Sequence, residues 1–328
     1  MALFNVVIPA PAYAGTGSGW DPVFTSCNSV SPNERHGLLD PGSPLRYVRD
    51  DKLKNWTRPV PFDLPAYLSR IGLTSCAPTI DGLRQVQGAQ MQAIAFENVL
   101  PFLGQVPDVS LQGVCDKLVT RRCGGYCFEL NTLYGAALEA IGFEIKPVLA
   151  RVRKGAPQGG ARTHLAFVAT IDDEEWLTDT GFGGPAPIAP IRLGTDAPQN
   201  AGGKRFRIVR DEITGEEVLE RESETGWYSL YGFDRVAPTS ADIEAANFLC
   251  ATWDKTPFPQ NLLAFRTTPA GKLSFQNGFV RNETTAQDGP QTLSSLADIE
   301  RFFANDLGLG YDHETIKQLH GRLLTIAE

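Results

Sequence analysis

The stretch Arg121-Arg122-Cys123-Gly124-Gly125-Tyr126-Cys127-Phe128-Glu129-Leu130-Asn131 sets a thiol directly behind two glycines. The glycines make a tight, non-helical entry. From Cys127 an apolar run then begins at helical spacing, through Leu130, Leu133, Tyr134, Ala137, Leu138 and Ile141, with Gly142 as its stop. A cysteine on the first turn of a helix faces unpaired backbone N–H groups and the positive end of the helix dipole, both of which favour thiolate over thiol. Such a sulfur is a nucleophile if a base reaches it.

The base comes from a hairpin. Thr163-His164-Leu165 opens a strand that runs to Ile171, Asp172-Asp173 is the turn, and Trp176-Leu177-Thr178-Asp179 returns. A two-residue turn pairs Ile171 with Glu174, so Asp179 falls opposite Ala166, on the side of the sheet that carries His164 and one diagonal step from it. Such diagonals lie about 7–8 Å apart at the backbone, within side-chain reach. A slip of one residue would send the two to opposite faces. An aspartate beside an imidazole fixes its tautomer and stabilises the imidazolium, and the imidazolium stabilises a thiolate. This is the Cys–His–Asp form of the nucleophile, base and orienter set. The approach of His164 to Cys127 is inferred from that chemistry.

Three textures position these residues. Residues 1–61, rich in Gly, Pro, Ser and Asn, read as a partly ordered extension. Residues 62–142 read as helical. Leu64, Tyr67, Leu68 and Ile71 share one face, a second helix starts from Thr79 or Asp81 and ends in Phe96-Glu97-Asn98-Val99-Leu100-Pro101, and a short third covers Leu111 to Thr120 before the Cys127 helix. Residues 143–239 alternate as strands do, at 143–152, 163–171, 205–209, 217–220 and 227–231, which makes an antiparallel sheet or small barrel. Residues 240–328 mix a helix from Ser240 to Cys250, three short strands between 262 and 280, and two closing helices at 296–307 and 313–326.

Composition narrows the function classes. The chain has 328 residues, 42% of them hydrophobic, enough for several cores. Its net charge of −8 and scattered basic residues argue against a nucleic-acid partner. No run is long enough to span a bilayer, and Met1 to Ala14 lacks the basic start of a signal peptide, so neither a membrane nor export is expected. The six cysteines show no metal-type double pair, which predicts no metal and reduced thiols in a cytoplasmic protein. Cys27, Cys76, Cys115 and Cys250 are assigned to packing, and His36, His313 and His320 to the surface.

At the chemical centre the chain resembles the arylamine N-acetyltransferases. Arg122, Gly124-Gly125-Tyr126-Cys127, Glu129 and Asn131 are similar to that family's nucleophile motif. Thr163-His164-Leu165 and Leu177-Thr178-Asp179-Thr180-Gly181-Phe182-Gly183 are similar to its histidine and aspartate motifs. Tyr67 to Gly72, Ala95-Phe96-Glu97-Asn98, and Ile243 through Asn247 to Pro257-Phe258 extend the likeness over about residues 62–328. The resemblance implies an α+β fold: a helical domain, an antiparallel β-barrel domain and an α/β lid around a cysteine-protease-like Cys–His–Asp core. It implies an acyltransferase that moves an acyl group, with acetyl-CoA as cosubstrate and no tightly bound cofactor, to an arylamine, arylhydrazine or N-hydroxyarylamine. The route is ping-pong, through a thioester on Cys127.

Carried over by position, Cys127 is nucleophile, His164 base and Asp179 orienter. Phe182, Gly183 and Gly184 lie where the family's loop meets CoA, and Phe96, Phe182 and Phe258 are pocket walls. Arg122 is expected to pair with Glu97. The sequence departs from the family at Cys123, where an arginine is usual, and in its preface of about sixty residues. Three other readings share some of these features. One is an amide synthase of the same family, which releases a carrier-bound polyketide. Another is a cysteine hydrolase or transglutaminase-type enzyme, and the last is an inactive scaffold that binds CoA or an aromatic ligand. Oligomeric state is left open.

Overall fold

Local signals start the helices where the sequence puts them. The structure, a computed structural model, describes residues 62–268, 271–283 and 291–327, which belong to one compact unit. The expected extension, residues 1–61, lies outside the described residues. Helix α1 (Leu64–Arg70) is capped by Asp63, whose carboxylate accepts the Ala66 N–H at 3.0 Å. Thr79 caps α2 (Ile80–Ala93) in the same way through Gly82, at 3.2 Å. After the short α3 (Val99–Phe102), α4 (Leu111–Val114) runs on as a wider π-helical turn over Cys115–Thr120. The expected helix therefore has the right extent but is wound more loosely in its second half. That turn buries Lys117.

Helix α5 (Cys127–Ile141) is the hub. Phe128, Leu130, Leu133, Tyr134, Ala137 and Leu138 are all buried, so the helix is enclosed on most faces rather than amphipathic. It stops at Gly142, whose φ of 104° is the left-handed cap that glycine adopts without steric cost.

The middle of the chain forms an eight-stranded antiparallel sheet. Its strands are β2 (Glu144–Val152), β3 (Arg162–Ile171), β4 (Glu174–Thr178), β5 (Ile191–Arg192), β6 (Gln199–Ala201), β7 (Lys204–Arg210), β8 (Glu217–Ser223) and β9 (Gly226–Phe233). Their order is β5-β4-β3-β2-β9-β8-β7-β6. The two edges meet through one side chain: Gln199 exchanges hydrogen bonds of 2.8 and 2.9 Å with the Arg192 backbone, which nearly closes the sheet into a barrel. Asp172 and Asp173 both have positive φ (50° and 62°), the geometry of a tight primed hairpin turn. That turn sets Ile171 opposite Glu174 and Phe167 opposite Thr178, the register expected from sequence.

Strand β3 is buried on both sides. Leu165 and Phe167 pack on α5, and Ala166 and Val168 enter the barrel core with Phe206, Ile208 and Leu219.

The last segment carries α6 (Ser240–Thr252), β10 (Leu263–Thr268), β11 (Gly271–Gln276), β12 (Phe279–Asn282), β13 (Gln291–Thr292), α7 (Leu296–Arg301, continued as a π-helical turn to Asp306) and α8 (His313–Ala327). One strand of its sheet comes from elsewhere. Phe96–Glu97, expected as the end of α2, is instead β1 and pairs with Ala264 and Phe265 of β10. Helix periodicity runs up to this point in the sequence, and the cross-strand partners, far along the chain, override it. No helix among the described residues is long and apolar enough to cross a membrane.

Candidate active site

Two glycines let the chain on either side of Cys127 pack closely. A Cβ on Gly124 would stand 2.4 Å from the Ala95 carbonyl oxygen, and one on Gly181 would stand 2.8 Å from Cys127 Cα. A larger residue at 124 would push the entry loop off the Ala95–Glu97 segment, and one at 181 would push its loop off α5. Glu129, in the first turn of α5, accepts the Tyr126 N–H at 3.1 Å and so fixes the entry to the helix.

Cys127, His164 and Asp179 meet at the mouth of the barrel, 4%, 2% and 1% exposed. His164 Nε2 lies 2.7 Å from Asp179 Oδ2. The other ring nitrogen is thereby left to the thiol, and the Cys127 and His164 side chains interact directly. The sulfur also lies 3.6 Å from the Thr163 carbonyl oxygen, which Cys250 Sγ shares at 3.6 Å.

Asp179 is held by more than its histidine. Asn131 Nδ2 donates to Oδ1 at 2.9 Å, the Gly181 N–H donates to Oδ1 at 2.8 Å, and the Tyr231 hydroxyl donates to Oδ2 at 3.0 Å. Asn131 sits one turn after Cys127 on α5, so a single helix presents the Cys127 sulfur and braces the Asp179 carboxylate. Sequence reasoning placed Asn131 in the motif without a role and missed Tyr231. The signal for Asn131 was its position four residues after Cys127, whereas Tyr231 had none.

The electrostatics follow from burial and pairing. Burial alone would lower the His164 imidazolium, but the Asp179 carboxylate and the Cys127 sulfur outweigh it and lift the group to about 10. Burial would raise the Asp179 carboxyl, yet His164, Asn131 and the Gly181 N–H hold it below its usual value. Burial pushes the Cys127 thiol up, contact with Cys250 adds to that, and His164 pulls it back down. A cation is thus fixed beside the sulfur at neutral pH, and thiolate can form only as half of that pair.

Around these three side chains lie the residues named as their neighbours. The Phe182 ring packs edge-on to His164 at 5.0 Å and against Tyr231 at 4.8 Å. Phe96 contacts Phe258 and Phe265 at 6.1 and 5.6 Å, and Gly183 abuts Phe96 and Phe265. Gly184 takes a contact from Lys272 on its carbonyl.

Arg122 does not pair with Glu97. Arg122 is exposed, at φ 56°, and the partner of Glu97 is the buried Lys117, whose Nζ lies 3.0 Å from Glu97 and 2.7 Å from Glu129. The π-helical turn carries Lys117 inward while the left-handed backbone at Arg122 turns that residue to solvent. Among the described residues no cluster of three or more His, Cys, Asp or Glu is arranged to hold a metal.

Known proteins resemble this chain over most of its length. The profile of the N-acetyltransferase family matches residues 79–316. The arylamine N-acetyltransferase of Escherichia coli K12 is 32% identical over 251 residues, 75% of this chain and 88% of that protein. The solved arylamine N-acetyltransferase of Salmonella typhimurium superposes with a TM-score of 0.75 at 30% identity, over 80% of this chain and 98% of that one. The Mycobacterium marinum enzyme solved in complex with CoA gives 0.72 at 28% identity, over 80% and 99%. A proansamycin X synthase of Amycolatopsis mediterranei is 26% identical over 74% of this chain and 95% of its own length.

Proposed function

The chain belongs to the arylamine N-acetyltransferase family and is an acyltransferase; from that premise we propose that it carries acetyl from acetyl-CoA to an arylamine, arylhydrazine or N-hydroxyarylamine, by way of a thioester on Cys127. The observation that carries the reading is the buried line of sulfur, imidazole and carboxylate, with 2.7 Å between the last two.

In the first half-reaction the Cys127 thiolate attacks the donor's carbonyl carbon. The C–S bond to CoA breaks, and His164 gives its proton to the departing sulfur. Donor and product are both thioesters of similar energy, so this exchange needs little driving force. In the second, the amine attacks the acyl-Cys127 carbonyl, its proton passes to His164, and Cys127 leaves as thiolate. The Cys127 N–H, at the first position of α5 and outside the helical ladder, is the proposed donor to the oxyanion. Phe96, Phe182 and Phe258 would enclose the acyl group, and the loop Phe182–Gly184 would approach the CoA arm.

Three domains share the work in this proposal: 62–142 carries the nucleophile, 143–239 the base and orienter, and 240–328 the lid. A cytoplasmic location belongs to the same reading, supported by Cys76, Cys115, Cys123, Cys127 and Cys250 all being free thiols.

Intact mass spectrometry after incubation with acetyl-CoA tests it. One acetyl adduct is expected, absent in Cys127→Ser and formed far more slowly in His164→Ala. No adduct on the parent protein would overturn the proposal. The second reading, an amide synthase that releases a carrier-bound polyketide, is favoured only by the proansamycin X synthase likeness. It predicts that acetyl-CoA leaves the protein unlabelled.

A further inference from the structure

The Cys127 thiol has a neighbour that acyl transfer does not use. Cys250 is buried on α6, and its Sγ lies 3.6 Å from the Thr163 carbonyl oxygen, the same atom that Cys127 Sγ approaches at 3.6 Å. The two thiols are also in direct hydrogen-bonding contact with each other. Both are free.

Hydrogen bonds between distant segments hold the pair together. Tyr126, immediately before Cys127, donates its hydroxyl to the Asn247 side-chain oxygen, and that hydroxyl lies 3.2 Å from the Asn247 carbonyl oxygen as well. Asn247 stands three residues before Cys250, on the same face of α6. Its Nδ2 donates in turn to the Pro107 carbonyl at 3.0 Å. Beyond the end of α6, the Thr256 hydroxyl lies 2.8 Å from the Cys250 and Trp253 carbonyl oxygens. The start of α5 is thereby fastened to α6 one turn from the place where the sulfurs meet. Tyr126, Cys127, Asn247 and Cys250 are each at most 4% exposed, so water does not loosen these ties.

A buried cysteine on its own is ordinary packing, but a thiol held against a reactive one has chemistry open to it. A thiolate paired with an imidazolium attacks a peroxide oxygen as well as a carbonyl carbon. Any route open to an acyl donor also admits a molecule as small as hydrogen peroxide. A sulfenic acid with no second thiol beside it goes on to sulfinic and sulfonic acids, which a thiol reductant does not reverse. Cys123, though nearer in sequence, does not fill that place. Its Sγ turns to the Arg121 carbonyl oxygen at 3.8 Å, in the field of Glu97, Lys117 and Glu129.

We propose that Cys250 is a resolving thiol, which closes a reversible disulfide with Cys127 when hydrogen peroxide oxidises it, and so stops transfer while sparing Cys127 from irreversible oxidation. The proposal goes beyond the acyl-transfer reading and shares with it only a reactive Cys127. In the first step the Cys127 thiolate attacks one peroxide oxygen, the O–O bond breaks, and the departing hydroxide takes the His164 proton to become water. In the second the Cys250 sulfur attacks the Cys127 sulfenic sulfur, the S–O bond breaks, and the hydroxyl leaves as water with the Cys250 proton. Two thiols and one hydrogen peroxide give one disulfide and two waters. A dithiol reductant returns both thiols.

The test treats the reduced protein with hydrogen peroxide, blocks free thiols with iodoacetamide, and maps the products by mass. Labelling of Cys127 by acetyl-CoA is followed before oxidation, after it, and after dithiothreitol. The parent protein is expected to lose two hydrogens, to yield a peptide that joins Cys127 to Cys250, and to regain most of its labelling with dithiothreitol. Cys250→Ser keeps a donor for the Thr163 carbonyl but cannot bridge. In it peroxide should add oxygens to Cys127, and dithiothreitol should restore about tenfold less labelling than in the parent. Cys250→Ala repeats the comparison should the serine variant fold poorly, and each variant is read against its own untreated sample. Parent protein that over-oxidises as readily as the variants, or that bridges Cys127 to Cys123 or to a second molecule, would overturn the proposal, while labelling before oxidation leaves the acyl-transfer reading standing. A Cys127–Cys250 bridge in a protein that no acetyl-CoA labels would overturn that reading and uphold this one.

Discussion

His164 is held between an anion on one nitrogen and a sulfur on the other, and its titration follows from that. In the folded protein the group is raised to about 10, whereas in an unfolded chain it titrates near 6.5. Its contribution to stability is whole below about pH 6.5 and is lost as pH climbs through 10. Asp179 is depressed, so its share is present above about pH 4 and fades below that. Asp179→Asn keeps the shape and removes the charge. It is expected to lower the thermal midpoint most at pH 5–7, with the gap closing towards pH 10. A gap that stays constant or widens on the way to pH 10 would show that the imidazolium is not the group involved. The same variant should cut kcat by about three to four orders of magnitude if Asp179 holds the orienting role proposed above.

Cys127, His164 and Asp179 are only as well placed as the elements beneath them. Lys117, from the π-helical turn, ties Glu97 of β1 to Glu129 of α5, and the Tyr311 hydroxyl donates to Glu97 at 2.7 Å. Burial raises the Glu129 carboxyl, and Lys117 pulls it back to about 7. Lys117 itself is raised, its two carboxylates outweighing the burial that lowers it. Lys117→Met would leave two carboxylates buried without a counter-charge. The expected cost is about 3–5 kcal/mol, the usual penalty for breaking a buried pair, read from a denaturant midpoint. Cys123 lies in the field of the same three groups, and its thiol is pushed to about 11, chiefly by burial. A guanidinium there would find both carboxylates close, so Cys123→Arg on the Lys117→Met background should recover much of the loss. No recovery would mean that Lys117 acts through packing rather than charge.

Across the whole molecule, the C-terminal segment is joined to the helical one by hydrogen bonds as much as by apolar contact. Asn98 donates to the carbonyls of Phe258 and Asn261 at 2.8 and 2.7 Å and accepts the Leu263 N–H at 2.7 Å, beside the pairing of β1 with β10. Asn98→Ala leaves those backbone groups unpaired at the seam. It should destabilise by about 2–4 kcal/mol, since each buried group left unsatisfied costs about 1–3. Hydrogen exchange should quicken first in β10 and β11. Uniform quickening across α5 and β3 would show instead that the segment does not open on its own.

What lies within a few residues could be read from the chain. The glycine entry and apolar spacing defined α5 with Cys127 at its start, and the Asp172-Asp173 turn fixed the register that sets Asp179 one diagonal step from His164. Side-chain periodicity and turn geometry act over a few residues, so those features were legible. Features that depend on distant chain segments meeting emerged with the packed fold. It made Phe96–Glu97 a strand, because β10 supplies its partners, and it gave Glu97 to Lys117 instead of Arg122. It added Tyr231 to the carboxylate and brought Lys272 from the lid to the barrel mouth. Burial and long-range pairing are properties of the packed chain, and no window of sequence holds both partners.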